Sequence, residues 1–381
     1  MATQGTAHSR HIVLVGPAFP YRGGIAHFVD RLERELSSRG HQTDIISFRR
    51  LYPTIFFPGK TQFEPEPAAS HADASRRMID SCNPLSWRSS ADAINEADPD
   101  IVVLNYWMPF FAPAMGTIAR RVRRPGRSVV AIVHNAIPHE RRPGDRMLTN
   151  YLLKRPDQLV ALSRRVSDDL EQAFGVRSTV VPHPLYDHFG PGIARTEARS
   201  ALDLPTDAPV LLFFGFVRHY KGLDLLLQAM PSIVESLPRA RLVVAGEFYE
   251  DEELCRSIVT QSEMERHVTF HDGYVAEKDV RTYFSAADVV VQPYRSATQS
   301  GVAQISFFYD RPLITTDVGG LAEVVDEGQT GFIVKPNEPD ELSRAVIRFF
   351  SGGCAAEMTE NVGRAKHGFS WSVLAEALEE L

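Results

Sequence analysis

Cysteine is scarce in this chain: Cys82, Cys255 and Cys354 are the three in 381 residues. They are odd in number and far apart, and none sits in a C-x-x-C or Cys/His zinc spacing. That excludes a disulfide framework and a cysteine-based zinc site, and makes a reducing cytoplasm the expected setting. Long apolar runs are missing too. No stretch approaches the ~18 apolar residues of a spanning helix. The first apolar run, Ile12–Val15, is too short for the core of a secretion signal. Aromatic side chains are not interleaved with basic ones as a stacking platform, so nucleic acid is not an expected partner. Any membrane contact is expected to be peripheral.

What is present suits two soluble domains. The hydrophobic fraction is 44% and the charged fraction 23%, enough apolar material for sizeable cores over this length. Disorder is expected only in the first ten residues and in Gly59–Ala74, which is rich in Pro, Ala and Glu. The net charge of −7 is unevenly spread. Residues 1–190 carry 24 Lys and Arg against 19 Asp and Glu, whereas residues 191–381 carry 17 against 29. A basic half and an acidic half suggest modules that face different partners. Basic clusters lie at Arg120, Arg121, Arg123, Arg124 and Arg127, at Arg141, Arg142 and Arg146, and at Lys154/Arg155 and Arg164/Arg165. They are either solvated faces or a surface for an anionic membrane or a phosphorylated acceptor.

Short buried-strand runs alternate with helical patterns. In the first half the strands are expected at Ile12–Val15, Thr43–Phe48, Ile101–Leu104, Val129–Val133, Gln158–Ala161 and Thr179–Val181. In the second half they are expected at Val210–Phe214, Arg241–Val244, Val268–Phe270, Val289–Gln292, Leu313–Thr315 and Gly331–Val334. Ile25–Arg39 reads as an amphipathic helix, with Phe28, Leu32 and Leu36 at four-residue spacing and Gly40 closing it. Runs that are apolar on both faces and alternate with helices point to doubly wound α/β sheets. Pro182-His183-Pro184 through Gly190-Pro191-Gly192 breaks the rhythm and reads as a hinge.

The strongest chemical signal is Leu212-Phe213-Phe214-Gly215-Phe216-Val217-Arg218-His219-Tyr220-Lys221-Gly222-Leu223-Asp224. A strand ends in a glycine, two cations follow three residues apart, and a helix begins. A helix N-terminus and an arginine both favour phosphate, so the stretch reads either as an ordinary turn or as an anion site. In the first half, Gly16 to Gly24 also leads from a strand to a helix through Gly23-Gly24. It is neither a G-x-G-x-x-G fingerprint nor a Walker loop. Together the two loops suggest a diphosphate gripped between two domains. A third loop, Gln292 to Val302, places Thr298, Gln299, Ser300 and Gly301 before a helical stretch. Asp98-Pro99-Asp100 imitates a metal-binding D-x-D but reads as a helix-to-strand turn. Tyr106-Trp107-Met108-Pro109-Phe110-Phe111 is either core or an aromatic wall for an acceptor.

These segments together resemble a GT-B glycosyltransferase of the large family 4 (group 1) type. The resemblance rests on Gly23-Gly24, on Gly215 to Lys221-Gly222-Leu223-Asp224, and on Val243-Val244-Ala245-Gly246-Glu247. It rests also on Phe270-His271-Asp272-Gly273-Tyr274-Val275, on Ala287 to Pro293, on Arg311 to Glu323, and on Phe369-Ser370-Trp371. It implies two facing Rossmann-like domains, expected at 1–188 and 189–360, with a C-terminal segment 361–381 returning to the first. It implies a hexosyltransferase-type enzyme in polysaccharide or glycolipid synthesis that moves a sugar from a nucleotide-diphosphate sugar to a sugar or lipid-linked acceptor, with retention and with no required cofactor or metal. Arg218 and Lys221 match the diphosphate-binding cations. Gly23, Gly24, Glu247, Tyr274, Val275, Thr298, Gln299, Ser300, Gly301 and Gln304 fall in donor-binding segments, and His134 matches a histidine near the donor sugar. The sequence departs from the family at two glutamates: Ala297 and Ile305 occupy their positions. A sugar-nucleotide epimerase or hydrolase of the same fold, or a non-catalytic nucleotide-sugar-binding protein, would carry the same donor loops.

Overall fold

A computed structural model describes residues 9–53, 62–63, 75–138, 142–297 and 299–381. The chain forms two compact units, Met1–Pro182 with Trp371–Leu381, and His183–Ser370. In the first unit the strands are β1 (His11–Val15), β2 (Gln42–Arg50), β3 (Ser75–Asp80), β4 (Ile101–Tyr106), β5 (Ser128–Val133), β6 (Gln158–Ala161) and β7 (Thr179–Val180). They make one sheet in the order β3-β2-β1-β4-β5-β6-β7. Every pairing is parallel. In the second unit β8 (Val210–Phe214), β9 (Arg241–Ala245), β10 (Val268–His271), β11 (Val289–Gln292), β12 (Leu313–Thr316) and β13 (Gly331–Val334) form a parallel sheet ordered β10-β9-β8-β11-β12-β13. Both orders reverse after the first strand of the unit. That reversal defines a Rossmann-type sheet and opens a crevice at the carboxyl ends of β1/β4 and of β8/β11.

The strands explain why they are covered on both sides. Val13 and Val15 enter one core while Ile12 and Leu14 enter the core on the opposite face. Leu211 and Phe213 likewise face away from Val210 and Leu212. Successive side chains point to opposite faces, so an unbroken apolar strand demands helices on both.

All twelve strands expected from the sequence form, within a residue or two at each end. The amphipathic helix runs Gly24–Ser38, with Phe28, Leu32 and Leu36 buried, and Gly40 follows it at φ 92. One strand escaped the sequence reading. β3 is the outermost strand, and its Ser75, Arg76 and Arg77 are partly or fully exposed. Its residues therefore lack the apolar run that marked the others. The Gly59–Ala74 stretch expected to be disordered lies almost wholly outside the described residues, as do the first eight.

The units divide at 182/183, where the sequence reading placed the break at 188/189. The physical reason is packing: Leu185 is buried in the second unit's core with Tyr186 and Phe189 against it. The Leu185 amide also donates to the Phe369 carbonyl at 2.9 Å. The chain rejoins the first unit at Trp371 rather than at 361. Met358 and Val362, on the helix Ala355–Ala365, are buried in the second unit's cores. The last helix, Trp371–Glu379, buries Trp371, Leu374, Ala375 and Leu378 among Phe28, Leu32 and Leu36. Each fully buried leucine there contributes roughly 1.5–3 kcal/mol. Arg39 clamps the helix end by donating to both Glu379 carboxylate oxygens at 2.6 and 2.7 Å, and His41 Nε2 lies 2.8 Å from one of them.

Candidate active site

In the second unit, β8 ends at the switch point and the chain turns through Gly215 into the short helical turn His219–Lys221. Gly222 follows at φ 65 and caps the helix Leu223–Ser236. A side chain at 222 would put its Cβ 2.1 Å from the Pro293 carbonyl oxygen. Only glycine therefore lets this loop close onto the loop after β11. Gly246 does the same on the other side, where a Cβ would sit 2.2 Å from the Gly215 carbonyl oxygen. Val217 and Glu247 are joined by a backbone hydrogen bond of 2.9 Å, which places Glu247 beside the Arg218 turn.

This packing drives Lys221 inward. It is 9% exposed, although lysine stays in water unless it has a partner. Its Nζ lies 5.7 Å from the Tyr294 ring centre. Among the described residues no carboxylate pairs with Lys221 or with Arg218. Burial first, and then the nearby Arg218 charge, push the Lys221 ammonium down to about 8. Arg218 lies over the Tyr249 ring at 5.0 Å. Two cations, one buried and neither paired, are an electrostatic cost that an anion removes.

Arg295, which belongs to the third loop, has a structural task. It donates twice to the Asp224 carboxylate, at 2.8 and 2.6 Å, and once to the His219 carbonyl at 2.9 Å. It therefore fastens the loop after β11 to the loop after β8. Tyr294 is 3% exposed, and burial raises its phenol above the ordinary value. Gln292, at the end of β11, is 1% exposed and donates through Nε2 to Ser300 Oγ at 2.7 Å. Ser300 caps the helix Gly301–Phe308. A Cβ built on Gly215 would meet Lys221 Nζ at 3.1 Å and Val302 Cγ2 at 3.6 Å. The head of the Gly301 helix thus stands beside the buried ammonium, and its N-terminus adds to the field that favours an anion.

The structure brings together Arg218, Lys221, Glu247, Ser300 and Gly301 at the β8/β11 switch point. Gln304 is 4% exposed, one turn beyond Ser300 on the same helix. Gln299 precedes Ser300. Tyr274 is 47% exposed after β10, and Val275 packs against the core beneath it. Thr298 lies outside the described residues. Ile305, which the sequence reading matched to a glutamate of the family it resembles, is buried in the core. Its aliphatic surroundings would penalise a carboxylate.

In the first unit, Gly23 (φ 114) and Gly24 are exposed where the Gly24 helix starts, with the Ala26 and His27 amides bonded to the Gly23 carbonyl. His134 follows β5 and is 4% exposed. Its ring meets Phe28 edge-on at 4.6 Å, and its Nε2 is 3.5 Å from Asn105 Oδ1. Asp98 ends the helix Pro84–Ala97 at φ 52 and pairs with Arg124 and Arg127, while Asp100 accepts the His11 amide at 2.8 Å. That is the helix-to-strand turn expected, with the two carboxylates committed to separate partners. Tyr106 and Phe111 are fully buried core, with Trp107 and Phe110 packed against them. Members of two of the basic clusters are paired: Arg121 with Asp92, Arg123 with Asp157 and Arg165 with Asp169. Arg127 is 5% exposed and bonded to the Pro99 and Val122 carbonyls. No helix among the described residues is long and apolar enough to cross a membrane.

The sequence reading marked the loop that holds Gln292 and Tyr294 without singling out either residue. A glutamine ending an otherwise all-valine buried strand was the available signal.

Two Rossmann-type parallel sheets in separate units, with phosphate-type loops at the strand ends, define the GT-B class. Comparison with known proteins agrees. The sequence profile of the glycosyl transferases group 1 matches residues 208–351, and that of glycosyltransferase family 4 matches residues 22–186. The chain belongs to this family. A D-inositol 3-phosphate glycosyltransferase of Streptomyces avermitilis is 28% identical over 59% of this chain and 51% of that protein. The corresponding protein of Nocardiopsis dassonvillei is 26% identical over 86% of this chain and 82% of its own. Apart from that longer match, the chain spans about half the length of the curated relatives it matches. Among solved structures, the Anabaena protein HepE in complex with UDP shares the fold at a TM-score of 0.73 and 16% identity, over 97% of this chain and 100% of that one.

Proposed function

We propose that this chain is a hexosyltransferase-type glycosyltransferase that moves a sugar from a nucleoside-diphosphate sugar to an acceptor hydroxyl with retention of anomeric configuration. The observation that carries the reading is the buried, unpaired Lys221 beside Arg218 at the β8/β11 switch point. In the reaction, the bond between the anomeric carbon and the diphosphate oxygen breaks as the acceptor oxygen bonds to that carbon from the same face. The acceptor proton passes to the departing phosphate. Arg218, Lys221 and the amides heading the Gly301 helix stabilise the growing charge on the diphosphate. Glu247, Tyr274, Val275, Gln299, Ser300 and Gln304 are assigned to the nucleotide and sugar. In the first unit, Gly23 and Gly24 are assigned to donor binding, and His134 to a hydrogen-bonding rather than a basic role. The acceptor is proposed to be a sugar or a lipid-linked sugar of surface polysaccharide or glycolipid assembly. The Streptomyces and Nocardiopsis relatives act, by their names, on D-inositol 3-phosphate, which supports a hydroxylated acceptor of that general kind.

The test is a thermal-shift screen with UDP-, GDP- and ADP-sugars, since a ligand that binds the native state raises apparent stability by mass action. UDP-sugars come first, because UDP occupies the HepE structure. A bound donor is then followed with a labelled sugar and candidate acceptors. Lys221→Met should weaken donor affinity about 10- to 100-fold, the loss of one charge-assisted contact worth roughly 1.5–3 kcal/mol. Release of free or isomerised sugar with no labelled acceptor would sink the transfer reading.

A further inference from the structure

The two family glutamates are absent, and the same region holds an unusual set of amides. Gln292 is 1% exposed and Gln304 4% exposed, and the Oε1 of each is buried without a hydrogen-bond partner among the described residues. Gln299 leaves its Nε2 in the same condition. A buried amide with one empty end costs roughly 1–3 kcal/mol, so native structures keep few of them, and those they keep call for an occupant. Gln292 Nε2 donates to Ser300 Oγ at 2.7 Å and reaches Tyr294 Oη at 3.4 Å, so the end left empty is the acceptor Oε1. Ser300 and Gln304 are one helical turn apart and share a face of the Gly301 helix. Gln292 shares its sheet face with Val290, whose core also contains Ala303 and Ile305 of that helix.

We propose that Gln292, with Ser300 and Gln304, forms a neutral amide–hydroxyl set that binds a hydroxyl group of the nucleotide sugar, in place of the carboxylates missing at 297 and 305. This rests on the donor-binding reading above. The chemistry suits a hydroxyl. A neutral amide accepts from or donates to an uncharged O–H at no cost in charge, and it leaves the diphosphate to Arg218 and Lys221. Gln292 orders Ser300 through one end and addresses the ligand through the other.

The experiment measures the dissociation constants of UDP and UDP-glucose, or of the GDP or ADP pair if those bind the unsubstituted chain. It uses the full chain, Gln292→Leu and Gln292→Glu. Glutamate keeps an acceptor at the same position, whereas leucine removes it. Gln292→Leu should weaken binding about 3- to 10-fold, the worth of one net hydrogen bond, and Gln292→Glu should restore most of it. A loss confined to the nucleotide sugar assigns the set to a hydroxyl of the transferred sugar. An equal loss for the bare nucleotide, restored by glutamate, assigns it to a ribose hydroxyl. Unchanged affinity in Gln292→Leu, or a loss that glutamate does not restore, overturns the proposal. If the unsubstituted chain binds no nucleotide, the donor-binding reading fails first and this proposal fails with it.

Discussion

Lys221 shows how one side chain turns a loop into a site. The sequence located it, three residues after Arg218 and at the head of a helix, but could not say that its ammonium is buried beside Tyr294. That burial has a pH signature. The folded, nucleotide-free protein loses the Lys221 proton near pH 8, below the ordinary lysine value of 10.5. Between these values the unfolded chain binds more protons than the folded one, so stability should rise with pH there. Nucleotide affinity should move the opposite way and fall above pH 8, because a neutral amine no longer attracts the diphosphate. Melting curves and nucleotide titrations from pH 7 to 10 on the parent and on Lys221→Met check both signs. The methionine variant should lose both inflections and melt no lower than the parent at pH 7 without nucleotide.

At the scale of elements, the loops and the last helix repay attention. Gly222 and Gly246 let three strand-end loops approach backbone to backbone, and the Asp224–Arg295 pair fastens two of them. The sequence marked each loop separately but could not show which residues tie them. Arg295 stood among the small polar residues of a binding loop and proves to be a clasp. The Trp371 helix is held to the first unit by apolar packing and by Glu379. Arg39, assisted by His41, holds the Glu379 carboxyl down to about 2. The folded value lies below the unfolded one, so this stabilisation is present above about pH 4.5 and is lost as the pH falls toward 2. Glu379→Gln should lower stability at pH 7 by about 1.5–3 kcal/mol, the worth of a hydrogen bond to a charged group. The gap from the parent should narrow below about pH 4.5 and close near pH 2. Denaturant melts at the two ends of that range measure it.

At the scale of the whole molecule, each unit carries a complete sheet with an apolar core on both faces. Each therefore has its own cooperative stability. Calorimetry of the full chain should resolve two transitions, and UDP or the nucleotide found by the screen should raise the one belonging to His183–Ser370 by several degrees. A shift confined to the other transition would contradict the placement of the nucleotide site. The two units also read differently in charge, basic to residue 190 and acidic beyond it. Ion pairs such as Arg121–Asp92 and Arg123–Asp157 consume part of the basic excess locally. A charge count in sequence registers the excess but not its neutralisation, which needs side chains brought together across elements.

Sequence by itself determined the class. Apolar four- and five-residue runs alternating with helical patterns admit parallel strands covered on both sides, and twelve of the thirteen strands among the described residues followed from that periodicity. It determined too that glycine-bearing loops follow β1 and β8, the second with two cations, because glycine and cation positions are local facts. Tertiary structure decided which groups share the switch point. It buried Lys221 without a partner, assigned Arg295 to Asp224, and left the far ends of Gln292 and Gln304 empty. It set the unit boundaries at Pro182 and Trp371. These depend on desolvation and on contacts between residues distant in sequence, and no local pattern encodes either.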